Sequence, residues 1–246
     1  MRRFIFDSTW QDGDRVRLSA EESYHISRVL RLQPGTEIEL MDGQGGVYTA
    51  VIVEAGRDVI ARLICRREER IDGRVQLWVG QGLLKGKKMD STVQQCTELG
   101  VTRLIPFFSS RCQGSLRELR ERQKAERWDR IVISACKQSK RSDLMVVEDL
   151  VEYSTMLAQF GDDPGLLRLL FWEEETGFRL RSELVGEGKV DKILILLGPE
   201  GGFSRDEVVA ARESGWQTVS LGRRILRAET ATLTAVSLVQ YLAGNL

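Results

Sequence analysis

The sequence has a single histidine, four cysteines and no long apolar run among its 246 residues. A membrane-spanning helix needs about 18 or more predominantly apolar residues in a row. Because the sequence has no such run, a membrane-spanning protein is excluded. The basic start Met1–Arg3 is followed by Asp7 and Asp12, which interrupt the apolar core that a signal peptide requires. We therefore expect a cytoplasmic protein.

The cysteines and the histidine do not form the spacing of a metal site. Cys65, Cys96, Cys112 and Cys136 include no C-x-x-C pair, and His25 is the only histidine. Zinc sites built from these residue types normally use closely spaced ligands. Four scattered cysteines are also too few for a disulfide scaffold. We expect no metal and a reducing compartment.

The formal charge is zero, but its distribution along the chain is uneven. Residues 73–145 hold 15 basic and 7 acidic side chains, a net charge of +8, whereas 1–72 carry −2 and 146–246 carry −6. A neutral protein with a basic middle can bind a polyanion such as a nucleic acid through one face. The alternative is a set of solvated helix faces, since 117–130 is rich in both Arg and Glu.

The first 72 residues have the pattern of a small β-rich domain. Ser19–Glu22 has the spacing of a capping box, which predicts a helix from Ala20. Alternating segments at 36–42, 47–53 and 58–65, joined by tight turns, predict strands of a small barrel. The charged stretch Arg66–Asp72 is then a plausible linker to a second domain.

Beyond residue 72, short apolar strands alternate with helical stripes. The predicted strands are 75–79, 103–108, 166–172, 193–197 and 218–221, and the predicted helices contain Met89–Leu99, Trp128–Cys136, Ser204–Gly215 and Glu229–Leu242. This alternation predicts an α/β domain with a mostly parallel sheet over residues 73–246.

Three glycine-containing segments follow predicted strands. Gly80–Lys88 stands where a P-loop would, but three residues instead of four separate its second and third glycines, and Lys88 replaces the magnesium-binding Ser or Thr. Three lysines near a helix start oppose the helix dipole. The segment is therefore either a phosphate-binding loop of another kind or a solvated basic turn.

The other two segments are Leu196–Ser204 and Ser220–Ala231. Glycines let a backbone approach a ligand closely, and open α/β sheets bind ligands beyond the carboxyl ends of their strands. Neither segment has the dinucleotide pattern G-x-G-x-x-G, and a tight turn is the alternative for the first. In the second, Glu229 at a helix start is also explained by the helix dipole alone.

Taken together, the segments KGKKMDSTVQQCTELGV, LLGPEGGFSRDE and LGRRILRAETA resemble the RsmE family of ribosomal RNA methyltransferases in the SPOUT superfamily. The N-terminal MRRFIF and SYHISRVLRLQPGTEIELMDGQGGVY are similar to that family's PUA-like RNA-binding barrel. The resemblance implies an α/β fold with a PUA-like β-barrel domain at 1–72 and a SPOUT trefoil-knot domain at 73–246. It also implies a homodimer, S-adenosylmethionine as cofactor, and methylation of N3 of one uridine in the 16S ribosomal RNA of the small ribosomal subunit.

The resemblance carries over to individual residues. It implies a cofactor site made by Leu197, Gly198, Pro199, Glu200, Gly201, Gly202, Leu221, Gly222, Ile225, Leu226 and Arg227. A third wall of this site is expected near Leu170–Trp172. Catalysis is expected to use Arg227, or a basic residue of a partner chain, to stabilise a uracil anion. Glu229 would orient Arg227 or accept the proton.

RNA contacts are expected from basic side chains of both domains: Arg2, Arg3, His25, Arg28 and Arg31 in the first, and Lys85, Lys87, Lys88 and Arg141 in the second. His25 is equally explained as a packed residue.

The sequence departs from the family pattern at Lys88, Gln95 and Lys140, where we would expect Arg, Lys and Gly. Two alternatives stay open: a non-catalytic RNA-binding or ribosome-assembly protein, and a SPOUT methyltransferase with another RNA target.

Overall fold

The computed structural model describes residues 1–68, 75–113, 125–160, 163–185 and 190–246. The chain divides into two compact units. The first is Met1–Ile71 with Ile133–Leu144, and the second is Asp72–Val132 with Met145–Leu246. The first unit therefore ends beside the predicted boundary, and it also includes Ile133–Leu144, which the sequence assigned to the second domain.

The first unit is built around one sheet. Its strands are β1 (Arg3–Ile5), β2 (Gln11–Asp12), β3 (Arg15–Arg17), β4 (Glu37–Met41), β5 (Gly46–Glu54) and β6 (Ile60–Glu68). In the described residues they are ordered β1-β4-β5-β6-β3-β2, with β1 and β4 parallel and the other neighbours antiparallel. The inward side chains of alternating positions, such as Ile38 and Leu40, are fully buried, as a half-buried strand requires.

Short helices connect the strands of the first unit. A 3₁₀ helix (Ser8–Trp10) precedes β2, and α1 (Ala20–Tyr24) continues into a π-helix (His25–Val29) before β4. The Ser19 hydroxyl accepts a hydrogen bond from the backbone N–H of Glu22 at 3.2 Å. This contact satisfies an otherwise unpaired N–H of the first turn and confirms the predicted helix start at Ala20.

The second unit is a parallel sheet flanked by helices. Its strands are β7 (Gln76–Gly82), β8 (Arg103–Phe108), β9 (Val146–Val147), β10 (Val151–Glu152), β11 (Leu166–Phe171), β12 (Lys192–Leu197) and β13 (Gln217–Val219). The helices are α2 (Lys87–Glu98), α3 (Ala125–Ser139), α4 (Tyr153–Gln159), α5 (Ser182–Val185), α6 (Arg205–Glu213) and α7 (Ala228–Leu242). From Ile133 onward, α3 belongs to the first unit. Over the described ranges the strand order is β10-β8-β7-β12-β11-β13, with β9 also on β8, and all pairs are parallel.

Local signals set the ends of two of these helices. Helix α2 is followed by Gly100 at φ +76°, the left-handed position that favours glycine. Helix α6 begins with a reciprocal capping box in which Ser204 and Glu207 each accept a backbone hydrogen bond from the other. Both features confirm the predicted helix ends. Among the described residues, no helix is long and apolar enough to cross a membrane.

The register of the sheet brings four strand ends to one edge. Phe171 at the end of β11 pairs with Leu197 of β12 and with Val219 of β13, and Leu197 pairs with Gln81 of β7. The loops that follow β11, β12 and β13 therefore leave the sheet side by side. This edge is where an open parallel sheet binds ligands.

Candidate active site

A cavity of about 170 Å³ lies between the loops that follow β11, β12 and β13. Ten of the eleven residues predicted for the cofactor line it, and Arg227 is the exception. Phe171 and Trp172 form the third wall, at the place expected for it. Glu173 and Arg224 add two charged groups that the sequence analysis did not name individually.

The glycines of the loop after β12 are required by its geometry. Gly202 has φ +67°, and a Cβ there would lie 2.3 Å from Oε1 of Glu173. A Cβ on Gly201 would lie 2.9 Å from Cβ of Arg111, whose guanidinium donates a hydrogen bond of 3.0 Å to the Gly201 carbonyl. This wall of the cavity is therefore made of backbone that is held from outside, which permits close approach by a ligand.

The far end of the same loop is anchored by Glu207. Its two carboxylate oxygens accept backbone N–H bonds of 2.8 Å each, one from Ser204 and one from Ser110. The hydroxyl of Tyr153 donates to the backbone carbonyl of Glu207 at 2.9 Å. These contacts fix the loop between β12 and α6 to the rest of the second unit.

The Trp172 wall is supported by a small polar network. The Arg212 guanidinium lies 5.6 Å from the centre of the Trp172 ring, a cation–π distance. Glu175 accepts hydrogen bonds from Thr218 at 2.5 Å and from Arg212 at 2.9 Å. The Thr218 hydroxyl is the main cause that lowers the pKa of the Glu175 carboxyl. No sequence pattern pointed to this network, because its members come from separate elements.

Lys88 lies between two carboxylates at the edge of the site. Its Nζ is 3.4 Å from Oε1 of Glu200, on the cavity loop, and 3.5 Å from Oε2 of Glu229, in the first turn of α7. The basic helix start is thus offset by protein carboxylates. Glu229 therefore has Lys88 as a charged neighbour, and its expected role toward Arg227 stays a prediction. Glu229 Oε2 is buried and accepts no hydrogen bond from the described residues.

The electrostatics of Glu200 follow from the same contacts. Burial acts to raise the pKa of its carboxyl, but hydrogen bonds from the backbone N–H groups of Lys85 and Glu200 and from Lys88 outweigh burial and lower it. The Lys85 N–H donates at 3.1 Å. The loop therefore carries a stable negative charge beside the cavity.

Arginines near the start of α7 occupy different places. Arg227 is the exposed N-cap residue of the helix and does not line the cavity. Arg224 lines the cavity and also an adjoining open groove that contains Arg179 and Arg223. Arg224, and not Arg227, is therefore the arginine of the loop after β13 that lines the predicted cofactor site.

The predicted RNA-binding side chains of the first unit separate into two groups. Arg2, Arg28 and Arg31 are exposed. His25 is half-buried, and its ring packs edge-on against Phe4 with 5.9 Å between the ring centres. The three arginines are exposed to a polyanion, and the His25 ring makes a packing contact while its RNA contact stays a prediction.

Arg3 and Arg141 have internal partners. The Arg3 side chain is 4% exposed, pairs with Glu39 at 3.4 Å and donates to the carbonyl of Lys140. The Arg141 side chain is 9% exposed and pairs with Asp143 at 2.7 Å. The structure thus assigns both arginines to internal ion pairs in the first unit. In the second unit, Lys85 and Lys87 are exposed and Lys88 is engaged as described above.

No cluster of three or more histidine, cysteine, aspartate or glutamate side chains suited to a metal ion is present in the part of the chain that the structure describes. The chemistry available at the site is instead that of an apolar, glycine-walled cavity with carboxylates at its rim and arginines beside it.

Comparison with known proteins gives a consistent result. A family model described as an RNA methyltransferase domain matches residues 72–240, and one described as an RNA methyltransferase PUA domain matches 11–62. The chain is 32% identical over 228 residues to the ribosomal RNA small subunit methyltransferase E of Synechocystis sp., covering 92% of this chain and 73% of the relative.

Solved structures show the same similarity. A ribosomal RNA small subunit methyltransferase E from Neisseria gonorrhoeae bound to S-adenosyl methionine has a TM-score of 0.82 at 30% identity, with 98% of each chain covered. A putative methyltransferase from Legionella pneumophila in complex with the bound cofactor SAM has a TM-score of 0.85 at 28% identity, with 97% of this chain and 96% of that one covered. The expected α/β fold with a PUA-like N-terminal module is confirmed, and the trefoil knot stays a prediction.

Proposed function

Because the chain belongs to the ribosomal RNA small subunit methyltransferase E family, we propose that it transfers a methyl group from S-adenosylmethionine to the RNA of the small ribosomal subunit. The observation that carries this proposal is the cavity between the loops after β11, β12 and β13, since the residues predicted for the cofactor converge on it. The relatives of known structure that bind this cofactor support it.

The residues of the cavity fit S-adenosylmethionine. Leu197, Leu221 and Leu226 provide apolar walls for an adenine ring, and the glycine loop offers backbone that a Cβ would obstruct. Glu173 and Glu200 at the rim favour a cationic ligand. When bound, the cofactor supplies an electrophilic methyl group on a sulfonium. The protein's part is to exclude water and to align the acceptor, which can contribute several powers of ten to the rate.

The finer part of the proposal is the acceptor atom, N3 of a uridine. This nitrogen carries a proton, so its attack requires a base and a group that stabilises the negative charge on O2 and O4. Glu229 is the candidate base: its Oε2 accepts no hydrogen bond within the described residues, and it lies 3.5 Å from the Lys88 Nζ, a cation that holds the carboxylate in place. A positioned base contributes about 10²- to 10⁴-fold. Arg224 on the cavity wall and Arg227 at the helix start are the candidate cations.

N3 lies on the Watson–Crick edge of uracil, so the target base is unpaired or extruded when it reacts. Holding such an RNA requires phosphate contacts outside the cavity. The exposed Arg2, Arg28 and Arg31 of the first unit, with Lys85 and Lys87 of the second, are suited to this role. A ribosomal RNA substrate also agrees with the cytoplasmic location expected from the sequence.

The proposal includes a homodimer. Helix α7 leaves Leu233, Leu238 and Tyr241 exposed, at 38%, 42% and 69% of their full accessibility. Exposed large apolar side chains grouped on one helix are typical of an interface. Leu238→Glu should convert the dimer to a monomer in sedimentation measurements. If the unaltered protein already sediments as a monomer, the proposed homodimer is wrong.

The decisive test is methylation with labelled S-adenosylmethionine, offering naked ribosomal RNA and unmethylated small subunits separately, with products mapped by nucleoside mass spectrometry. We expect N3-methyluridine at one site. Another methylated nucleoside would support a different RNA target. Cofactor binding with no transfer to either substrate would instead support a non-catalytic RNA-binding protein, and no cofactor binding would refute the proposal.

A further inference from the structure

A buried glutamine, Gln81, connects three elements behind the cofactor cavity without lining it. Gln81 lies near the end of β7 and is fully buried. Its side-chain Nε2 donates to the backbone carbonyl of Gly198 at 3.2 Å and to that of Gly82 at 2.9 Å. Its Oε1 accepts a hydrogen bond of 2.6 Å from the hydroxyl of Thr232 on α7. One side chain therefore joins the strand, the glycine loop and the last helix.

The chemistry of the amide fixes its orientation. The amide nitrogen faces two carbonyl oxygens, which only a donor can satisfy, and the amide oxygen faces a hydroxyl. The Thr232 hydroxyl has a second acceptor within its own helix, the Ala228 carbonyl at 3.0 Å. Because it has one hydrogen, donation to the nearer Gln81 oxygen competes with that internal bond. A buried amide left without partners is costly, so the three contacts depend on one another.

The elements that Gln81 joins are also in close contact with one another. A Cβ on Gly82 would lie 2.5 Å from the backbone nitrogen of Pro199, so the loop after β12 rests directly on the end of β7. On the other side, two alanines of α7 line the cavity: Ala228, one helical turn before Thr232, and Ala231, the residue that directly precedes it. The two walls that Gln81 joins are thus both walls of the cofactor site.

We infer that Gln81 is a positioning residue that, through Thr232, holds the Gly198 loop and helix α7 in the geometry that binds the cofactor. This inference rests on the proposed function, because it concerns the affinity of the same cavity for S-adenosylmethionine. It differs from a general stabilising role, since it requires cofactor affinity to change with the Thr232 hydroxyl.

The test measures the Kd for S-adenosylmethionine by titration calorimetry, alongside thermal unfolding without cofactor. Thr232→Val removes the hydroxyl at constant shape, and Thr232→Ser restores it. Thr97→Val is the matched control, because Thr97 is also buried and its hydroxyl donates within its own helix, to the Val93 carbonyl at 2.8 Å. Gln81→Met removes all three contacts.

We expect Thr232→Val to weaken cofactor binding by at least about fivefold, the lower end of ordinary coupling between sites. Thr232→Ser should bind like the unaltered protein, and Thr97→Val should lose thermal stability without losing affinity. In turnover, the KM for the cofactor should rise while the KM for RNA stays constant.

A Thr232→Val protein that binds the cofactor normally would overturn the inference, whatever its melting temperature. Equal weakening by Thr97→Val would also overturn it, because affinity would then follow stability alone. If Gln81→Met does not fold, the two Thr232 variants still decide the question. Absence of binding by the unaltered protein is a separate result, which refutes the proposed function itself.

Discussion

Replacing Gly82 with alanine perturbs the contact between β7 and the cofactor loop. The new Cβ would lie 2.5 Å from the backbone nitrogen of Pro199, 2.6 Å from its Cδ and 2.9 Å from the carbonyl carbon of Gly198. Ordinary contacts begin near 3.4 Å, so strand and loop must separate by about 0.9 Å. Two of the three atoms are backbone and the third belongs to a proline ring, so rotation of a side chain cannot relieve the clash.

The size of the effect follows from this displacement. Overpacking in a close-packed interior costs about 1–3 kcal/mol, and we expect the free energy of unfolding of Gly82→Ala to fall by that amount. The same movement draws the Gly198 carbonyl away from the Gln81 amide, which it meets at 3.2 Å. A displacement near 1 Å is also large for a binding geometry, so cofactor affinity should fall together with stability.

Chemical denaturation with and without S-adenosylmethionine measures both quantities, because a ligand that binds only the folded state raises stability according to its Kd. Gly56→Ala is a suitable control, since the nearest atom to its Cβ is the Asp58 carbonyl oxygen at 3.9 Å. That variant should match or slightly exceed the unaltered protein. If Gly82→Ala keeps full stability and the full stabilisation by cofactor, close packing at this glycine does not hold the loop.

Three further predictions concern charged residues. Lys88→Met should lower methyl transfer by leaving Glu200 and Glu229 without their shared cation, whereas Lys88→Arg should retain activity. The loss should be only severalfold, because each such half-exposed ion pair contributes about 0.2–1 kcal/mol. Arg28→Ala and Arg31→Ala should each reduce the salt dependence of RNA binding by about 0.7 in log–log slope, and an unchanged slope would remove that residue from the interface. The pKa of Glu200 is lowered in the folded protein, so its carboxylate contributes fully to the free energy of unfolding above its ordinary pKa of 4.5, and this contribution is lost as pH falls through the folded value. Glu200→Gln should therefore reduce the loss of stability at acid pH in denaturation measurements.

The longer helices and strands could be predicted closely because their signals are local, whereas the short strands β1, β2, β3, β9 and β10 and the short helices α4 and α5 were not predicted. Hydrophobic period, the capping serines Ser19 and Ser204, and Gly100 after α2 each act within a few residues of the element that they define. The glycine loop after β12 was also predictable, since its sequence and its position after an apolar strand are both visible. These signals fixed which loops reach the carboxyl edge of the sheet.

The charge of a side chain was a weaker guide to its function than the position of its segment after a strand. Arg3 and Arg141 lie in basic stretches and were expected to contact RNA, yet their side chains pair with Glu39 and Asp143. A sequence shows the sign of a charge but not its partner, because a guanidinium forms equally good hydrogen bonds with phosphate and with carboxylate. Within the stretch from Leu221 to Arg227, similarly, the sequence singled out Arg227, whereas Arg224 lines the cavity.

Gln81 shows why the interior of the site is the least predictable part. It stands in an apolar strand between two glycines, and its partners Gly198 and Thr232 are 117 and 151 positions away along the chain. Nothing local distinguishes it from a solvent-facing glutamine, because an amide's role depends on which donors and acceptors the fold places around it. Only the parallel pairing of β7 with β12 and the packing of α7 on that edge bring these groups together. The residues that hold the cofactor loop therefore become visible only once the sheet order is known.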